Sequence, residues 1–195
     1  MKKVGITGGI GAGKSIVCRV FQKLNVPVYF ADDRARWLMN YDKKLVGEIK
    51  ETFGQKAYLN NGELNRRYLA DHVFSNASEL TKLNALVHPA VASDFEFWCQ
   101  GQQGQPYVLK EAALLVETGS YKNLAALIVV TAPKQLRLHR VLMRDEERSE
   151  QQVLDIMEKQ ASENKKKKLA DYLLNNDEKS LLIPQILKIH QSLKD

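Results

Sequence analysis

Apolar residues along the chain fall into blocks of two kinds. Val4 to Thr7 is a short run without alternation, the pattern of a buried strand. Ser15 to Leu24 places Ile16, Val17, Val20, Phe21 and Leu24 at the spacing of one helix face. Val26 to Phe30, rich in β-branched and aromatic residues, predicts a second strand, and Pro106 to Lys110 a third. Ala125 to Thr131 is the clearest apolar run, predicting a parallel strand covered on both faces. Tyr172 to Leu174 is a short fifth candidate, followed by an Asn175-Asn176-Asp177 turn and an amphipathic helix over about Ser180 to Leu193.

Helical patterns fill the intervals. They cover Ala35 to Phe53, Glu63 to Phe74, Ser78 to Trp98, and a stretch opened by Pro133 that carries Arg137, Arg140 and Arg144. Ser149 is placed to cap a further helix reaching about Asn164. His88-Pro89 is expected to kink or restart its helix, because proline lacks a backbone donor. His88 itself, by spacing, is expected to pack. The alternation predicts an α/β fold with a doubly wound parallel sheet. Asp33 to Val91 interrupts it with helices alone, which predicts a helical insertion over the ligand crevice.

The chemistry enters at the first strand-to-helix turn. Gly8, Gly13, Lys14 and Ser15 fit the phosphate-loop pattern G-x-x-x-x-G-K-[ST], between a predicted strand and a predicted helix as the motif requires. Glycines allow consecutive N–H groups to curl around an anion, and the helix N-terminus adds unpaired donors. This points to ATP or GTP, with Lys14 reaching the β- and γ-phosphates and the Ser15 hydroxyl ligating Mg²⁺. Asp32 follows the second strand, so it is expected at the same crevice as the loop. Asp32 and Asp33 are candidates for catalysis; if they open the next helix, one of them could instead be its N-cap. The arginine-rich segment Arg137 to Arg148 has the composition of a lid that clamps phosphoryl oxygens, or of an exposed helix with ion pairs around Asp145. An N-K-x-D guanine-reading motif is missing, which favours a small kinase over a GTPase.

Composition narrows the classes. The 195 residues suit one domain; 44% apolar and 27% charged residues are ordinary for a globular chain. Apolar runs are far shorter than a membrane span, and the first strand starts too early to leave room for a signal peptide. Cys18 and Cys99 form no metal or redox motif, which fits a cytoplasmic setting. The net charge of +6 suits an anionic ligand, but no basic stripe with interleaved aromatics argues for nucleic acid. The run Lys165 to Lys168 reads as a solvated helix end, with anion binding as the alternative.

Beyond these readings, the chain resembles the dephospho-coenzyme A kinase family over nearly its whole length. Thr7-Gly-Gly-Ile-Gly-Ala-Gly-Lys-Ser15 is similar to the family's T-G-G-I-G-S-G-K-S loop, and Ala31-Asp32 with Ala35-Arg36 to its A-D-x-x-A-R segment. Leu83-Asn-Ala-Leu-Val-His-Pro89 resembles its L-N-x-x-x-H-P signature, Leu114-Leu-Val-Glu117 its L-L-x-E, and Asp171 with Asn175 and Asn176 its A-D-x-x-I-x-N strand. Three positions depart: Ile16 replaces a common threonine, Phe30 a common aspartate, and Ala113 a common proline. The resemblance implies a P-loop nucleotide-kinase fold and ATP-dependent phosphorylation of the ribose 3′-hydroxyl of dephospho-coenzyme A, the last step of coenzyme A synthesis. It implies one kinase domain over 1–195, with a core of about 1–32, 92–136 and 169–195, a helical acceptor-binding region of about 33–91 and a lid of about 137–168. It implies catalysis by Asp32 as general base with Lys14 and Arg140. The nucleotide would be held by Gly9, Gly11, Ala12, Gly13, Lys14, Ser15 and Ile16 with Arg144, and Mg²⁺ by Ser15. Asp32, Arg36, Arg66 and His88 would contact the acceptor. A cytoplasmic monomer or weak homo-oligomer, with no membrane or nucleic-acid partner, is the expected setting.

Overall fold

The computed structural model describes residues 1–74 and 76–194. In chain order the elements are β1 (Lys2–Thr7), α1 (Lys14–Lys23), β2 (Val28–Phe30), α2 (Ala31–Tyr41), α3 (Lys43–Phe53), α4 (Arg66–Phe74) and α5 (Ala77–Gln100). There follow β3 (Tyr107–Glu111), β4 (Ala126–Thr131), α6 (Lys134–Arg144), α7 (Glu150–Lys159), α8 (Glu163–Leu169), β5 (Tyr172–Asn175) and α9 (Leu182–Lys194). Two compact units result: Met1–Phe30 with Gln102–Asp195, and Ala31–Gly101.

The first unit holds a five-stranded sheet in the order β2-β3-β1-β4-β5. Every pairing is parallel. This is the doubly wound α/β arrangement expected from the alternation of patterns. Successive side chains of a strand face opposite ways. Val4, Ile6, Tyr107, Leu109, Ile128 and Val130 therefore share one face, where they pack with Val17, Cys18 and Phe21 of α1 and with Ile186, Ile189 and Leu193 of α9. Tyr107 is fully buried, yet its hydroxyl is paired with His190 Nδ1 at 2.7 Å, and burial holds the His190 imidazole below its usual pKa. The register aligns Ile6 and Phe30 with Glu111, Thr7 with Val129, and Thr131 with Asn175. The carboxyl ends of the strands thus form one edge, and the phosphate loop leaves from it.

The second unit is helical. Its core holds Leu38 of α2, Leu45, Ile49 and Phe53 of α3, Leu69 of α4, and Val87, Val91 and Phe95 of α5. Arg34 of α2 makes two hydrogen bonds to Asp94 of α5, at 2.6 and 2.9 Å.

Several boundaries differ from the sequence expectation. The single helix expected over Ala35 to Phe53 is two, because Asp42 leaves helical backbone and its carboxylate caps α3 through Leu45 N–H at 2.8 Å. The helix expected from Ser149 to about Asn164 is also two: Gln160 is extended and Ser162 caps α8 through Lys165 N–H. Pro89 lies inside one continuous helix, α5, with buried Val87 and Val91 on either side. Its missing donor removes a single bond of the helical ladder, and the packed flanks hold the rest together. Leu64 pairs with Tyr58 in an isolated bridge, so the helix expected from Glu63 starts at Arg66.

Candidate functional site

The loop after β1 has the geometry of an anion cradle. Gly11 and Gly13 adopt φ of 76° and 93°, a region that side-chain-bearing residues avoid. Gly13 is the N-cap of α1 and offers no side chain, so the start of the helix is left uncapped for a ligand. Ala12 N–H closes a turn onto Gly9 O at 3.1 Å, and Ile16 N–H onto Gly13 O at 3.1 Å. Lys14 Nζ lies 3.1 Å from Gly8 O, folded back over the loop it is expected to serve. Ser15 and Ile16 are exposed in the first turn of α1. Behind the loop Cys18 is fully buried, and burial pushes its thiol up to about 12, so it stays protonated as a core residue.

The glycines are also needed for packing. A Cβ on Gly9 would strike the Arg137 guanidinium, one on Gly11 the Arg137 carbonyl, and one on Gly13 the Asn176 amide. Asn176 donates to Ala12 O at 2.9 Å, and Gln160 accepts from Ile10 N–H at 2.9 Å. The rim of the loop is thus held by Arg137, Gln160 and Asn176, residues more than a hundred positions away. A cavity of about 180 Å³ lies beside it, lined by Gly9, Thr131, Lys134, Arg137, Gln160 and Lys166 among others.

The arginines of α6 differ in their surroundings. Arg137 is tied to Ala132 O at 3.1 Å and lies 3.6 Å from Glu163. Arg140 donates through Nη2 to Glu178 at 3.0 Å, while its Nη1 is buried with no hydrogen-bond partner among the described residues. A buried guanidinium nitrogen without a partner is a donor in reserve, suited to an oxyanion. Arg144 is 62% exposed and makes a two-pronged contact with Asp145 at 2.8 and 2.9 Å, and Arg148 reaches the same carboxylate at 3.2 Å. Those bonds hold the Asp145 carboxyl below its usual pKa, the Arg144 hydrogen bond most of all.

In the helical unit, Asp32 and Asp33 occupy the first turn of α2. Asp33 is engaged by Arg36 at 3.2 Å. Asp32 is exposed and makes no hydrogen bond or ion pair to another described residue. Arg66 is exposed at the start of α4. His88 is exposed on α5, where spacing had predicted packing.

The lysine run requires a larger correction. Lys166 is only 2% exposed and pairs with Glu117 at 2.9 Å, so this part of the run is not a solvated helix end. Burial pushes the Glu117 carboxyl up, but the Lys166 ammonium beside it and a hydrogen bond from Ala161 N–H together hold it below its ordinary value. Gln160 and Asn176 had no assigned part in the sequence reading beyond the resemblance. Four consecutive lysines hide which one faces inward, and only the helical phase of a seven-residue helix distinguishes them.

As for the metal, no group of three or more His, Cys, Asp or Glu among the described residues could hold an ion. The donor set present, an exposed Ser15 hydroxyl beside a phosphate cradle, fits Mg²⁺ carried largely by substrate phosphates.

Comparison with known proteins identifies the family. A curated dephospho-CoA kinase of Bacteroides fragilis is 32% identical over 187 residues, covering 96% of this chain and 90% of its own. One of Salinibacter ruber is 37% identical over 179 residues, with 91% and 89% covered. The crystal structure of TT1252 from Thermus thermophilus superposes with a TM-score of 0.82 at 30% identity, covering 98% of this chain and 95% of that one. The family model described as dephospho-CoA kinase matches residues 2–181, and the chain belongs to that family.

Proposed function

We propose that the chain transfers the γ-phosphoryl group of ATP to the ribose 3′-hydroxyl of dephospho-coenzyme A, giving coenzyme A and ADP. The observation that carries this reading is the glycine-led, uncapped start of α1 in a chain of this family. The loop N–H groups and Lys14 hold the phosphates, with Gly9, Gly11, Ala12, Gly13, Ser15 and Ile16 forming the cradle. Ser15 is the residue that would hold Mg²⁺, whose charge offsets that of the β- and γ-oxygens when it is bound. Asp32 takes the proton of the attacking hydroxyl as general base. Arg140 supplies its unpaired Nη1 to the charge that shifts during transfer, and Arg144 adds a second guanidinium on the nucleotide.

Arg36, Arg66 and His88 are the acceptor-side contacts of this reading, within a helical region of about 33–91. Residues of about 137–168 form the lid, which excludes water from the site and so suppresses ATP hydrolysis. The remaining core carries the nucleotide. Among the described residues no helix is long and apolar enough to cross a membrane, and both cysteines are free thiols. The reading takes the chain as a cytoplasmic enzyme, working as a monomer or weak homo-oligomer on a small-molecule substrate, without nucleic acid.

The reading is tested by ADP release from ATP–Mg²⁺ across a panel of acceptors: dephospho-coenzyme A, shikimate and nucleosides. Release that depends on dephospho-coenzyme A and stops on chelation of Mg²⁺ supports it. Turnover with another acceptor alone, or ATP binding without acceptor-dependent turnover, removes the substrate assignment.

A further inference from the structure

One corner of the chain is fixed at two points. Gln160 ends α7, and its Oε1 accepts from Ile10 N–H in the phosphate loop at 2.9 Å. The next residue, Ala161, donates its N–H to Glu117 Oε1 at 2.8 Å. Lys166 of α8 reaches the same carboxylate oxygen at 2.9 Å from a position only 2% exposed. Ile10 and Gln160 are 150 residues apart in sequence. A Cβ on Gly9 would be in ordinary contact with Gln160 Oε1, 3.5 Å away, and would strike the Arg137 guanidinium, so Gly9 leaves room for Arg137 beside this contact.

We propose that Gln160 is a positioning residue for phosphoryl transfer, holding the Gly9–Ile10 peptide of the phosphate loop, and that the Glu117–Lys166 pair anchors it. The loop has glycine at 8, 9, 11 and 13, so its backbone has little intrinsic preference for the conformation that turns amides toward phosphate. An acceptor outside the loop removes part of that freedom before the nucleotide arrives, and such preorganisation acts on rate. Gln160 suits the task because its amide is neutral and places no negative charge beside the phosphates. It can hold the peptide only if its own backbone is held, and α7 has already ended at this point. Glu117 supplies the hold, drawing Ala161 N–H and Lys166 onto one oxygen. A single neutral hydrogen bond contributes little to global stability, so its effect belongs to the order of the loop.

The kinetic part of this inference rests on the kinase reading; the structural part does not. The variant to make is Gln160→Met, similar in length but without the acceptor. Amide exchange by ¹⁵N NMR on the nucleotide-free protein should show Ile10 N–H exchanging at least about tenfold faster, with Tm changed by no more than about 2 °C. The same variant should lose roughly tenfold in kcat, with KM for dephospho-coenzyme A within about twofold. Gln160→Glu keeps an acceptor oxygen and should restore the Ile10 protection. Lys166→Met should loosen Ile10 although its ion pair is with Glu117 and not with the loop. Wild-type exchange at Ile10 in Gln160→Met overturns the clamp, and faster exchange with wild-type kcat overturns its role in transfer. If the wild-type protein shows no acceptor-dependent turnover, the kinase reading fails, and Ile10 exchange still decides whether the clamp exists.

Discussion

Arg140 and Glu178 are joined by a 3.0 Å hydrogen bond, and Glu178 makes it from a left-handed backbone conformation with φ of 64°. A non-glycine residue there is strained by roughly 1–2 kcal/mol. The bond it makes is to an exposed carboxylate, a contact typically contributing about 0.2–1 kcal/mol. Glu178→Gly should therefore be stabilising on balance, raising Tm by about 2–4 °C. It also frees Arg140 for the transferring group, so kcat should rise. A lower Tm would mean that the ion pair outweighs the strain. Arg140→Ala should leave folding nearly intact and reduce kcat by roughly 100-fold or more, the scale expected for a donor to a developing oxyanion.

Asp32 and Lys14 are assigned different work, and their variants should separate accordingly. Asp32→Asn keeps the shape of α2's first turn and should leave ATP affinity unchanged while lowering kcat by about 10²–10⁴. Lys14→Ala should weaken ATP binding and slow turnover together. Binding measured by calorimetry beside single-turnover rates distinguishes the two. A near-normal rate for Asp32→Asn would remove it as the base.

Two loop glycines differ in what surrounds them. Gly9 has ordinary backbone, and the obstacle to a Cβ is the mobile end of the Arg137 side chain. At Gly11 φ is 76° and the obstacle is the Arg137 backbone. Gly11→Ala should therefore be the more damaging, losing at least about 2 kcal/mol of stability from the backbone strain and the collision together. Gly9→Ala should be milder and act through displacement of Arg137. Denaturant midpoints of the two variants check the order, and an equal loss would contradict the packing described.

The Glu117–Lys166 pair gives stability a pH dependence of known sign. The folded-state pKa of Glu117 lies below its ordinary value of 4.5, so the unfolded chain binds this proton more readily. The pair's contribution is complete above about pH 4.5 and is lost as pH falls through the folded value. Lys166→Met leaves Glu117 buried without its cation and should cost about 3 kcal/mol at neutral pH. The gap between wild type and variant should narrow in acid, as Glu117 is protonated first in the variant and then, below its ordinary value, in the wild type. A gap that stays constant down to acid unfolding would show that the charge is not what Lys166 contributes.

The parts of this protein legible in its sequence are those whose cause is local. The loop glycines, the uncapped start of α1 and the unbroken run of β4 each follow from neighbouring residues, and all lie where the patterns predicted. The helix breaks at Asp42 and at Gln160 were missed because the apolar spacing continues across them, while a single N-capping side chain, Asp42 or Ser162, starts the next helix. Pro89 misled in the opposite direction, since the packing of α5 overrides the local preference. Gln160 on Ile10, Asn176 on Ala12 and Lys166 on Glu117 join residues 150, 164 and 49 positions apart. Such contacts leave no periodicity to read, and in the lysine run the local pattern argued against the buried role.

The most direct test of the central claim is the position of the new phosphate. Dephospho-coenzyme A is incubated with ATP–Mg²⁺ and the protein, and the product is examined by mass spectrometry and ³¹P NMR. The account predicts one added phosphate, as a monoester on the ribose 3′-hydroxyl, formed with one equivalent of ADP and not formed by Asp32→Asn. Phosphate on another hydroxyl, or ADP released with unmodified acceptor, would contradict it.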